Sequence, residues 1–241
     1  MTRQLPPIHD HSADAIAKRL QQAKTPSVLK DLVYGGIDGA VTTLAIVAGV
    51  QGAGFSHTVI IALGFANILA DGFSMAAGNF AGTRAEAEDV ARLRAIEADH
   101  IQRAPDGERE ELHQILAAKG LSGAPLEQAV DAICSRESAW IDMMLVDEYG
   151  VSPLAPAPMR AALATFFAFL VAGFVPLLPY LLNLDDAFTV SLVMTFAVFV
   201  LIGALRGVWS LRSSWLTALE TVIVGGIAAA IAYLVGGLFD A

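Results

Sequence analysis

Five long stretches of this chain are so apolar, and so nearly free of charge, that no water-soluble fold has an interior large enough to hold them all. A bilayer core about 30 Å thick is crossed by roughly 20 helical residues. Residues 32–55, 58–80, 161–182, 187–205 and 215–239 each meet that requirement. The first carries one charge, Asp38, the second one, Asp71, and the fifth one, Glu220, while the third and fourth carry none. Such runs call for helices, because hydrocarbon offers an unpaired backbone no hydrogen-bond partner, and nothing in them alternates like a barrel strand. Composition agrees: 55% of the 241 residues are hydrophobic, 16% are charged, and mean hydropathy is +0.58. That balance excludes an all-soluble enzyme. The single cysteine, Cys134, excludes a disulfide framework or a cysteine-rich zinc site. A net charge of -9 argues against nucleic acid as a partner and for cations.

The basic residues set an expected orientation. Five of the fifteen Lys and Arg precede the first span, eight lie between the second and third, and two follow the fourth. The opposite loops, 51–57 and 183–186, and the tail 240–241 have none. By the positive-inside rule, residues 1–31 form a cytosolic N-terminal segment and the insert after the second span is cytosolic, with the C-terminus outside or in a lumen. The polar first thirty residues contain no apolar core of a cleaved signal peptide.

Four parts are therefore expected: residues 1–31; a pair of transmembrane helices within 32–80; a cytosolic acidic helical domain at 81–157; and three further transmembrane helices within 158–241. The fold class is an all-α membrane protein with five transmembrane helices and a cytosolic three-helix insert between spans two and three. Fifteen of the chain's 24 acidic residues fall in that insert. Val90, Leu93, Ile96 and Ile101 follow helical spacing up to a break at Ala104-Pro105-Asp106-Gly107. Leu112, Ile115 and Leu116 resume the pattern as far as Lys119-Gly120, and a third helix is expected over 126–149.

Glu97 and His100, Glu108 and Glu111, and Met144 and Glu148 are spaced three or four apart, so each pair shares a helix face. Three helices can then aim carboxylates, an imidazole and a thioether at one point, a donor set suited to first-row divalent metals more than to Mg or Ca. The same spacing also fits a solvated acidic face, since acids favour a helix's first turn. Inside the spans, ionisable groups are costly and usually line a pathway or find a partner. Asp38 sits among small residues in Tyr34-Gly35-Gly36-Ile37-Asp38-Gly39, with Thr42 and Thr43 as alternative structural partners. Asp71 and Met75, one turn apart, present a hard carboxylate and a soft thioether along the second helix. Glu220 can reach Arg206 or Arg212, and Pro176 with Pro179 predicts a kink.

These segments together resemble the vacuolar iron transporter family: residues 34–43, residues 70–78, the acidic insert with Met143, Met144 and Glu148, and Glu220-Thr221 followed by Gly225. The likeness covers nearly the whole chain. It implies a homodimeric, proton-driven exporter of Fe(II) or Mn(II), active in iron homeostasis and not an enzyme. It implies no permanently bound cofactor, the divalent metal being the substrate. Pathway residues carried over are Asp38 and Met75, beside Asp71; insert ligands are Glu97, Glu108, Glu111, Met144 and Glu148, with position 100 completing the set. His100 stands where the family pattern has glutamate, which opens the preference to Co(II) or Zn(II). The alternative is a membrane-anchored ferritin-like iron oxidase or metal store, suggested by Glu97-x-x-His100. Arginine in excess over lysine and abundant alanine point to a bacterial-type member in a cell membrane; a eukaryotic source implies a vacuolar membrane.

Overall fold

The computed structural model describes residues 10–21, 26–210 and 212–239. They are helical throughout, with no strand among the described residues. A short helix α1 (Ala13–Gln21) precedes α2 (Leu29–Gly52) and the 47-residue α3 (His57–Arg103). Then come α4 (Pro105–Ala118), α5 (Ala124–Cys134), α6 (Glu137–Asp147) and α7 (Pro158–Phe174). A 3-10 turn (Val175–Leu177), α8 (Leu178–Leu181), α9 (Ala187–Val208) and α10 (Ser214–Gly237) complete the chain. Five helical stretches are long and apolar enough to cross a membrane. Pro176 and Pro179 produce the expected interruption in the third of these as the 3-10 turn.

Two departures from the sequence pattern have local causes. The composition shift at Ala81 does not end a helix: α3 continues to Arg103 because no proline falls within it, and Ala104-Pro105 finally stops it. The expected helix over 126–149 is two helices, α5 and α6, separated at Ser135-Arg136, where Arg136 adopts an extended conformation. The acidic insert thus contributes three complete helices after α3.

The chain divides into two compact units. One contains Ser27–Phe80 and Met159–Ala241. In it α2 packs against α9 and α10, and Ala40, Leu44 and Ala48 meet Phe199 and Ala229. A second cluster joins Val47, Val50, Ile60 and Ile68 to Leu177 and Tyr180. Gly35 makes the approach of α2 to α7 possible: a Cβ there would collide with the carbonyl oxygen of Thr165. Outward, Phe73, Val171, Leu201 and Leu234 are all more than half exposed, a surface that suits lipid rather than water.

The other unit comprises mainly Ala81–Pro158. Leu112 and Leu116 of α4, Leu126 and Val130 of α5, and Trp140 and Met144 of α6 form its core, with Leu93, Ile141 and Leu145 beside it. Pro105 opens α4 and Pro125 lies in the first turn of α5, both where a missing N–H costs nothing.

Candidate functional site

Within the acidic unit, six of the Lys and Arg side chains are committed to other acids. Arg84 pairs with Glu88, Arg92 with Asp89, Arg94 with Asp142, Arg103 with Asp99, Arg109 with Asp131 and Glu127, and Lys119 with Asp147. His113 meets Glu127 at 3.2 Å. Glu97, Glu108, Glu111 and Glu148 have no Lys or Arg partner among the described residues.

These four acids share one electrostatic environment. Glu97, on α3, is fully buried; its Oε1 accepts a hydrogen bond from the Tyr149 hydroxyl at 2.8 Å, and its Oε2 is buried with no partner. Glu108, in the first turns of α4, is 5% exposed, and its Oε2 is likewise an orphan. His100 Nδ1 lies 3.2 Å from Glu108 Oε1 and 3.9 Å from Glu97 Oε1, with half its side chain open to solvent.

Burial pushes the Glu108 carboxyl up to about 7, reinforced by the charges of Glu97 and Glu111, opposed by His100 and reinforced again by Glu148. Glu148 is raised by burial and then by Glu97 and Glu111, with Tyr149 and His100 acting against the rise. The Tyr149 phenol is raised by burial and by its hydrogen bond to Glu97. Like charges gathered without a basic partner attract divalent cations.

Met144 fills the hydrophobic core beside Leu112 and Trp140, fully buried. As the side chains stand, no three His, Cys, Asp or Glu groups among the described residues are arranged to hold a metal ion. One oxygen of Glu97 is taken by Tyr149 and one of Glu108 faces His100, which leaves the orphan Oε2 of each acid without a partner.

In the membrane-spanning unit, Asp38 borders a pocket of about 590 Å³ with Lys30, Tyr34, Ile37, Arg206 and Trp209. Its carboxylate makes no hydrogen bond among the described residues: the Thr42 hydroxyl donates at 2.9 Å to the Asp38 backbone carbonyl, and Thr43 Oγ1 accepts from Asn67. Asp71 and Met75 border a different pocket of about 460 Å³, which shares Lys30 and Tyr34 with the first. Within one chain the structure thus brings Asp71 and Met75 together but places Asp38 in the neighbouring pocket. Glu220 reaches both expected partners, Arg212 at 2.7 Å and Arg206 at 3.2 Å.

Three residues at these places escaped the sequence pattern. Tyr149 lies 52 positions from the glutamate it binds. Asp31 falls in the expected N-terminal segment but belongs to the first turn of α2, and Asn79 meets it from 48 positions away. A polar residue next to an apolar run was the available signal for Asp31.

A model of the VIT family matches residues 29–237. The chain is 31% identical over 211 residues to Vacuolar iron transporter 1 of Arabidopsis thaliana, covering 86% of this chain and 84% of that protein. It is 30% identical over 211 residues to Vacuolar iron transporter 1 of Eucalyptus grandis, with the same coverage of 86% and 84%. It is also 30% identical over 224 residues to the Vacuolar iron transporter of Toxoplasma gondii, covering 88% and 74%. These plant and apicomplexan relatives lend no support to a bacterial-type assignment.

Proposed function

The chain belongs to the VIT family, and from that premise we propose that it carries a divalent transition metal out of the cytosol, probing no chemistry on it and returning protons in exchange. The observation that carries this reading is the group of four glutamates that meet no Lys or Arg among the described residues, two of them holding buried orphan oxygens. Glu97, His100, Glu108, Glu111 and Glu148 capture the ion, and Met144 adds a soft donor when α6 turns its face to the site. Iron is the leading cargo, as in the names of the relatives, with Mn(II) beside it. His100 extends the range toward Co(II) and Zn(II), because imidazole is a softer donor than carboxylate.

Asp38, Asp71 and Met75 form the membrane path, where unpaired carboxylates replace part of the ion's hydration shell. Two copies of the chain assemble so that the path lies between them, which joins the separate Asp38 and Met75 pockets into one route. The N-terminus and acidic unit face the cytosol, following the basic residues, and the C-terminus faces the opposite side. A eukaryotic source places the protein in the vacuolar membrane, a bacterial one in the cell membrane. Protons compete with metal for the same carboxylates, which links the two fluxes.

The test is flux in sealed liposomes. Purified protein should move Fe(II), Mn(II), Co(II) or Zn(II) with proton flow in the opposite direction, and Asp38→Ala should abolish movement while the protein remains monodisperse. Normal transport by Asp38→Ala removes the pathway assignment. Oxygen consumption on adding Fe(II), without flux, favours the ferritin-like oxidase.

A further inference from the structure

The membrane unit carries an apolar groove of about 320 Å³ between α3 and α7. Its floor is Ala76 and Ala162, both buried, and an alanine leaves open the space that a larger side chain would fill. Phe73 and Phe80 of α3 wall it on one side, Met159 and Phe166 of α7 on the other. Each row runs from one residue to the seventh after it, about 10 Å of helix. That is most of the roughly 15 Å depth of one leaflet's hydrocarbon. Asn79 bonds Thr165 at 2.7 Å and Gly72 lies against the Phe169 ring, so the helices run antiparallel and Phe80 shares an end of the groove with Met159.

Arg160 stands at that end. It lies in the first turn of α7, three positions before Leu163 of the groove lining, and so beside it on the helix surface. The side chain is exposed and meets no acid among the described residues, and the first turn of α7 holds no acid either. A cation at the positive end of a helix dipole is unfavourable until an anion offsets it. A groove with no charged or hydrogen-bonding side chain in its lining, ending at an unpaired guanidinium, is the complement of an amphiphile with an apolar chain and an anionic head. A second copy fits this face poorly. Two chains of the same orientation, related by a twofold axis through the groove, would bring Arg160 against Arg160.

We infer that the groove between α3 and α7 seats one anionic phospholipid, an acyl chain lying along the alanine floor and the phosphate meeting the Arg160 guanidinium. The inference stands on the membrane-spanning fold and not on the cargo. It assigns this face of α3 to lipid, leaving the Asp71 and Met75 face to the path.

The test uses the full chain in detergent, titrated with phosphatidylglycerol or phosphatidylcholine of identical acyl chains, with retained lipids counted by native mass spectrometry. The parent should hold one phosphatidylglycerol per chain about fivefold or more tightly than phosphatidylcholine, the weight of one arginine at an anionic surface. Arg160→Gln should erase that preference and leave phosphatidylcholine unchanged, while Arg160→Lys keeps part of it. Ala77→Phe, at an exposed position of the lining, should weaken both lipids by filling the groove. Equal retention of the two lipids by the parent, or a preference that survives Arg160→Gln, overturns the site. So does unchanged retention after Ala77→Phe; if the chain also turns from dimer to monomer, the groove belongs to a second copy. Displacement of phosphatidylglycerol by an equal concentration of glycerol phosphate assigns Arg160 to a free anion and overturns the lipid. If Ala77→Phe aggregates, Leu163→Gln takes its place with the same readings.

Discussion

Glu108 should weaken the very fold that holds it, and Glu108→Gln measures by how much. Burial and neighbouring acids raise its carboxyl from 4.5 to about 7. The folded state therefore binds this proton more tightly than the unfolded state, so the folded state is favoured at low pH and loses that advantage as pH rises from about 4.5 through about 7. At about 1.4 kcal/mol per tenfold, the loss is roughly 3 kcal/mol at pH 8 and less than about 1 kcal/mol at pH 5. Glutamine cannot ionise, so the variant escapes the loss. It forfeits the His100 contact at both pH values, which leaves the difference between them near 2–3 kcal/mol as an upper range.

Trp140, 6% exposed in the core of the acidic unit, reports its unfolding once Trp209 and Trp215 are changed to Phe. In metal-free detergent solution the thermal midpoint of Glu108→Gln should exceed the parent's by on the order of 10 °C more at pH 8 than at pH 5. Equal midpoints at pH 8, or a variant less stable there, refute the reasoning that Glu108 is an uncompensated acid. The same substitution should weaken metal binding, the opposite direction from its effect on stability.

Three further outcomes follow from single contacts. Tyr149→Phe removes the donor to Glu97; metal affinity should fall about tenfold as the carboxylate loses its orientation, measured by dialysis against Co(II). His100→Glu restores a carboxylate and should shift the competition between Mn(II) and Zn(II) toward Mn(II) in flux assays; an unchanged ranking removes the role given to the imidazole. Gly35→Ala places a methyl against the Thr165 carbonyl and should destabilise the membrane unit by about 1–3 kcal/mol, read as a lower thermal midpoint in detergent.

The spans were legible because hydrocarbon imposes one strong rule, a run of about 20 apolar residues, that few other contexts produce. The acidic pairs were legible for a similar reason: Glu97 with His100, and Glu108 with Glu111, follow from helical spacing alone. What spacing does not carry is contact between elements. Asn79 meets Asp31 and Thr165 only because α2 and α7 approach at Gly35, a consequence of packing rather than of local pattern. The break at Ser135-Arg136 was hidden because apolar residues continue on both sides of it, at Ile133, Cys134, Trp140 and Ile141. The uninterrupted α3 was hidden by the opposite effect, a sharp change of composition at Ala81 without any helix breaker. The absence of basic partners around the four glutamates also needed the structure, since eight Lys and Arg lie between the second and third spans and sequence does not say which acids they choose.

The most direct measurement is to locate Co(II) by its anomalous scattering in crystals of the full chain soaked at micromolar free metal. A peak among Glu97, His100, Glu108, Glu111 and Glu148, lost in Glu97→Gln/Glu108→Gln, is the predicted result. A chain that transports metal but shows no ion among these side chains contradicts the account.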